Sequence, residues 1–379
     1  MDDKERKRAV VTAIAVGGMI LGCLTSCDAT LDPPAPLPAP GRVSVLATGH
    51  GGDTGWWPEV RIDEQDHAHV TWCDSTLGDA MYATRAPGGA WQPEPISTAG
   101  AVGKYITLGL DAHGRPAVLY YNQDAKFLDF ATRRDDGTWS SEHVDWGDNI
   151  GVGGVLLFDA DNVAHAFYYS QRDRFLHATR KKSPQGDPWT VALVAAARGG
   201  YYTEVDVVRR ADGFWLTFVD WSKREGFFLA RPAPDGLVVE PLVLEKGAGW
   251  RSALVFGQHA ELELIYTLGG AKELRLARRV GVGFESLRLA RKVNNMAAAV
   301  TRTGDFAIAY QDVHAGQKAA SSLKLLRRDG VAWRHFAVDD DGPLADYLGV
   351  ALDSQGRAVI AYHANGAKAL RIYDEAAAK

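Results

Sequence analysis

The chain has 379 residues, 46% of them hydrophobic and 23% charged, with a formal net charge of -5. That length suits one large β domain or two ordinary ones, and the mild acidity leaves no basic footprint for nucleic acid. Eleven Trp, thirteen Tyr and thirteen Phe, with 40 Gly, favour sheets and tight turns over helices.

Residues 1–27 read as an export signal. Lys4, Arg6, Lys7 and Arg8 give a positive start, and an apolar run from Ala9 to Gly22 follows that is too short for a comfortable membrane span. Leu24-Thr25-Ser26-Cys27 resembles the bacterial lipoprotein box, in which the Cys thiol carries a diacylglyceryl group and the signal is cut just before it. Ile20-Leu21-Gly22-Cys23 is the alternative match, poorer because Leu21 is bulky near the cleaved bond. The resemblance implies export and a lipid anchor in the cell envelope, facing the periplasm or the cell surface. Residues 28–41 hold five prolines and are expected to form an extended tether of roughly 40 Å at ~3.1 Å per residue. With Cys23 or Cys27 as anchor, Cys73 has no convincing disulfide partner.

From residue 42 to 379 the sequence repeats. The clearest copy runs through Tyr105–Asp111, a His113-Gly114-Arg115-Pro116 turn, Ala117–Tyr121, Phe127–Arg133, an Asp135-Asp136-Gly137 turn and Trp139–Val144. Four strand-like runs separated by Gly/Asp turns make a four-stranded antiparallel meander. Copies start near Trp57, Tyr105, Gly153, Tyr202, Trp250, Met296 and Tyr347, 46 to 51 residues apart. Third strands end in Arg85, Arg133, Arg180, Arg231, Arg278, Arg327 and Asp374, and fourth strands open at Trp91, Trp139, Trp189, Leu237, Phe284 and Trp333. Seven first, second and third strands are thus followed by only six fourth strands. The missing one lies at the other end, in Arg42-Val43-Ser44-Val45-Leu46-Ala47-Thr48-Gly49, where it would complete the last blade and close the ring. The expected fold is all-β: a seven-bladed β-propeller of four-stranded blades.

The repeat resembles the propeller modules of exported bacterial proteins grouped loosely with sialidase-like or BNR-type propellers. That resemblance implies a fold and not an activity. The nearest approach to a sialidase Asp-box, Arg133-Arg134-Asp135-Asp136-Gly137-Thr138-Trp139, lacks the Ser and is one residue short before Trp.

In a propeller the loops between blades and the loops between second and third strands share one face. The first set here carries Trp56, Trp57, Tyr105, Tyr201, Tyr202, Trp250 and Tyr347, with Arg251 beside them. The second set begins with Asp74, Asn122, Ser170, Asp220, Thr267, Gln311 and His363, with Trp221 and His314 nearby. Aromatic faces among short polar groups suit a sugar ring, and equally a protein partner. The competing expectation is architectural: the aromatics wedge between blades and the polar residues build turns. The candidate ligand residues are Trp57, Tyr105, Tyr202, Trp250, Arg251, Tyr347, Asp74, Asn122, Asp220, Trp221, Gln311 and His363.

Glycoside hydrolysis would need two carboxylates about 5 to 9 Å apart, and Asp74, Asp220, Glu59 and Glu204 are the available acids. Only Arg61 and Arg251 could serve the arginine cluster of a sialidase-like site. Cys73 reads as a buried thiol rather than a nucleophile. His67 and His69 have no matching ligands elsewhere, and Asp63, Asp111, Asp159 and Asp353 read as hairpin-turn residues on the opposite face. No motif calls for a cofactor or metal. The leading expectation is a monomeric, lipid-anchored recognition propeller binding a glycan or an envelope protein. A glycoside hydrolase or lyase on the same face, and a structural scaffold of an envelope complex, are the alternatives.

Overall fold

The structure, a computed structural model, describes residues 35–46 and 52–377 apart from 171–172, 182–187, 200–204, 221–225, 235, 243–246, 257–260, 270–271, 282, 302–303, 305, 314–320, 330–331 and 345. Seven antiparallel sheets follow one another along the chain. Blades one to six span 54–97, 104–146, 150–195, 206–242, 248–291 and 293–339. Blade seven takes its first three strands from Leu348–Leu352, Ala358–Ala364 and Ala369–Asp374, and its fourth from Arg42–Val45. Val43 pairs with Tyr373 and Arg42 with Asp374, so the start of the domain closes the ring on its end. The buried Leu46 extends the join by donating its N–H to Leu370 O at 3.0 Å.

One strand goes beyond the sequence expectation. Leu37–Pro38, in the stretch assigned to the tether, pairs in parallel with the fourth strand of blade six, Ala332–Asp339. Proline can join there because an outer edge demands few N–H donors.

Each strand's composition follows from its radial position. Second strands have sheet on both sides and a blade on both faces, so Ala68–Asp74, Ala164–Ser170, Leu262–Leu268 and Ala358–Ala364 are buried throughout. Fourth strands form the rim and are largely exposed.

Blades are tied by repeated side-chain bonds. The Arg133 guanidinium grips both oxygens of Glu94 on the preceding blade, at 2.7 and 2.9 Å, and Trp139 Nε1 donates to the same carboxylate at 2.8 Å. Arg180 and Trp189 repeat this on Glu142 one blade later. Nearer the core, Tyr168 donates to Asp145 at 2.9 Å and Tyr362 to Asp339 at 2.5 Å. These contacts account for the recurring third-strand Arg, fourth-strand Trp and second-strand Tyr.

On the lower face, where first strands turn into second strands, Asp63, Asp111, Asp159 and Asp353 each accept two backbone N–H bonds of their own turn. They are turn builders.

Candidate functional site

First strands line the central channel. Its upper part is a cavity of about 220 Å³ bordered by Trp57, Glu59, Arg61, Tyr105, Asp206, Arg251, Met296 and Tyr347. Below it a wider cavity of about 1750 Å³ opens through the lower face. Arg61 and Asp206 border both, on first strands of blades one and four, so they mark the waist of the channel.

The upper rim is set by an irregularity that recurs. Trp57, Tyr105 and Gly153 hold one repeat position and have φ of 50°, 55° and 60°. The ladder to the second strand slips at each of these points. A left-handed aromatic costs ~1–2 kcal/mol, and such residues gather where a bulge re-aims a side chain. Here the bulge swings the aromatics together. The Trp57 ring lies 5.5 Å from Tyr105, 5.2 Å from Tyr347 and 5.8 Å from Trp56, centre to centre. Trp56 in turn sits 4.8 Å from His363 and donates from Nε1 to Asp53 at 2.9 Å.

The sequence-predicted residues divide sharply. Trp57 is half-buried and lines the mouth. Tyr105, Arg251 and Tyr347 also line it but are buried, at 5%, 5% and 9% exposure, so they act as wedges between blades more than as an open platform. The described second-to-third-strand residues do not border the mouth. Asp74 accepts the N–H groups of Thr76 and Leu77 at 3.1 and 3.0 Å, and Asn122 accepts that of Ala125 at 3.0 Å. Asp220 holds the N–H of Arg198 at 3.1 Å. Gln311 donates to Leu344 O at 2.6 Å and accepts from Asn294 at 2.9 Å. His363 Nε2 lies 2.9 Å from Asp53 Oδ1, and burial holds its pKa below the usual imidazole value despite that carboxylate. These five groups knit the loops together. Tyr202, Trp221, Cys23 and Cys27 lie outside the described residues, and of Trp250 only the backbone, in the strand Ala248–Phe256, is described.

Among the described residues the acids bordering the upper cavity are Glu59 and Asp206. Glu59 pairs with Arg61 and accepts the N–H of Leu108 on the next blade at 2.7 Å. Asp206 accepts the N–H of Leu254, also on the next blade. Burial pushes the Asp206 carboxyl up to about 6, and the charge of Glu59 adds to the rise. The N–H groups of Leu254 and Val207 and the charge of Arg61 pull the other way. Asp206 was missed from sequence, which offered Glu204 instead. Cys73 is buried and its thiol is pushed up to about 12 by desolvation and then by Asp74, which leaves it unreactive. His67 bonds Asp63 at 2.9 Å and His69 contacts Tyr82 OH at 2.6 Å. Among the described residues no three His, Cys, Asp or Glu side chains group as a metal site.

No protein-family model matches the chain, and the search of curated proteins finds no match. Solved structures do match. The likeness is one of fold. YCF48 bound to D1 peptide is 15% identical with a TM-score of 0.56, over 89% of this chain and 97% of that one. The SapL1 lectin in complex with alpha methyl fucoside is 13% identical with a TM-score of 0.53, over 76% and 98%. The Aleuria aurantia lectin in complex with Fucalpha1-6GlcNAc is 14% identical with a TM-score of 0.52, over 78% and 98%. The Aleuria lectin is described as six-bladed, so the present ring has one blade more.

Proposed function

We propose that this chain is a recognition propeller of the cell envelope, held by a lipid on Cys27, that takes a saccharide at the upper mouth of its channel. The observation that carries the reading is the meeting of Trp57 with Glu59, Arg61 and Asp206 around one cavity of about 220 Å³. An indole offers its face to sugar C–H groups, and two carboxylates and a guanidinium offer acceptors and donors to hydroxyls. The cavity lies below the ~300–1,000 Å³ of drug-sized pockets, which suits a single ring or the end of a chain. The two fucoside-bearing lectins show this type of fold serving saccharide binding in other proteins.

The test is a glycan array followed by calorimetry on residues 35–379, with Arg61→Ala alongside. The reading expects a saccharide hit that Arg61→Ala weakens at least about tenfold, or ~1.4 kcal/mol. An empty array from folded protein, or equal affinity in the variant, overturns it. Lipid attachment has its own check: palmitate labelling in cells is expected to vanish in Cys27→Ser and persist in Cys23→Ser.

A second reading has one observation in its favour. Asp206, raised to about 6 by burial with the charge of Glu59 among the causes, has the elevated value that suits the acid of glycoside hydrolysis. Both carboxylates already hold a backbone N–H of the neighbouring inner strand, which favours binding over turnover. Release of nitrophenol from aryl glycosides, abolished by Asp206→Asn, would reverse that preference.

A further inference from the structure

Six of the seven blade rims carry a device that discourages strand pairing. Blade one has Pro93 and Pro95 in Gln92–Ser97, and blade two has Glu142, His143 and Asp145 in Trp139–Trp146. Blade four has Glu240 and Pro241 in Gly236–Leu242, and blade five has Glu285, Arg288 and Arg291 in Gly283–Arg291. Blade six is covered by Leu37–Pro38, and blade seven ends in a strand of only 4 residues that includes Arg42. Prolines, charges, shortness and cover are the means by which sheets avoid meeting at their edges.

Blade three has none of them. Its outer strand Trp189–Ala195 reads Trp-Thr-Val-Ala-Leu-Val-Ala, with no charge and no proline. Thr190, Val191, Ala192 and Leu193 are all exposed, Leu193 at 60%. Among the described residues no strand pairs with its free side. An uncharged, β-branched edge of this length is a template for another strand.

We propose that this edge pairs with the same edge of a second copy of the chain, in antiparallel register, to form a two-fold dimer. The choice of occupant follows from charge. Two copies of Thr190–Ala195 bring no like charges together, whereas the acidic rim of blade two would set Glu142 and Asp145 near their own images. Antiparallel pairing of identical edges is isologous, so it consumes both edges and stops at two copies. Blade six shows that a rim of this ring does accept an added strand. The upper mouth lies at the ring axis, away from the rim, so the dimer leaves both sites open.

Residues 35–379 contain every described strand of the closed ring, and sedimentation velocity on that protein from about 5 to 200 µM tests the proposal. A dimer fraction that grows with concentration is expected. Leu193→Lys and Val191→Lys should each weaken it at least about tenfold. Leu287→Lys, on the exposed rim of blade five, should leave it unchanged. Circular dichroism melting confirms that the variants fold. A monomer at every concentration overturns the proposal. So does a dimer that survives Leu193→Lys, or one that Leu287→Lys breaks.

Discussion

Asp206 occupies in blade four the place that Glu59 occupies in blade one. Each faces a Thr on its second strand, Thr217 and Thr71, and each takes an N–H of the next blade. The residues differ in what surrounds them: Glu59 has Arg61 as a direct partner, and Asp206 has only the charge of Arg61 at a distance. A carboxyl raised from 3.8 to about 6 on folding makes the folded state hold its proton more tightly than the unfolded chain does. Its contribution to stability is therefore fully present below pH 3.8 and is lost as pH rises to about 6, by up to about 1.4 kcal/mol per unit, and is constant above that. Asp63, Asp111 and Asp159 have lowered values and run the opposite way, so the comparison must be with a variant. Urea midpoints at pH 4, 5, 6 and 7 should show Asp206→Asn gaining on the parent across pH 4 to 6 and keeping a fixed difference beyond. Parallel curves throughout would mean that Asp206 titrates as an ordinary carboxyl. Sequence concealed this residue for a specific reason. Counting forward from the blade-four aromatic Tyr202 leads to Glu204, whereas counting back from the second strand through Thr217 leads to Asp206. The left-handed bulge at Trp57 and Tyr105 is likewise a backbone event with no residue signature, since Trp and Tyr are poor residues for that conformation.

At the level of strands and blades, legibility tracks how often a contact is repeated. Arg133 and Trp139 share Glu94, and Arg180 and Trp189 share Glu142, so Arg and Trp recur at fixed places and announce the repeat. The acid partner wanders. Arg85 of blade one finds Asp374 at 2.7 Å, because the closing strand Arg42–Val45 offers no carboxylate where Glu94 would stand. Arg278 turns to the fully buried Glu263 of its own blade. Each solution satisfies the same guanidinium, so selection for the bond fixes the Arg and leaves its partner free to move. The same distinction explains the upper face. The strand-end series Asp74, Asn122, Asp220, Gln311 and His363 looks like a ring of ligand groups when aligned by repeat. In three dimensions each is committed to a structural bond: Asp74 and Asn122 to N–H groups of their own loops, Asp220 to the N–H of Arg198, Gln311 to the carbonyl of Leu344, and His363 to the carboxylate of Asp53. A periodic polar residue reports a periodic structural need, and function has to be sought where the period breaks, as it does at Glu59 and Asp206.

The whole ring depends on a join between residues more than 300 positions apart. Arg42–Val45 supplies the fourth strand of blade seven, Leu46 is 5% exposed beneath it, and the Tyr373 hydroxyl accepts the N–H of Gly41 at 3.2 Å. Without these residues Ala369–Asp374 becomes an open edge, and Tyr373 and Ile372, now fully buried, lose cover on one side. Burying Leu46 alone is worth about 2 kcal/mol, and the lost strand bonds add to it. A protein begun at residue 47 is therefore expected to melt several degrees lower than one begun at residue 35, at about 2 °C or more for each kcal/mol lost. Limited proteolysis should then cut first within 369–377, because the freed edge belongs to blade seven and blades one to five keep all four of their strands. A protein begun at residue 40 isolates the second contribution of the N-terminal stretch. It retains the closing strand and loses Leu37–Pro38 and the small buried Ala39 from the rim of blade six, so it should melt within about 2 °C of the longer form. If the two truncations melt alike, closure through Arg42–Val45 contributes no more than a peripheral strand does, and the ring is held by its blade-to-blade contacts alone.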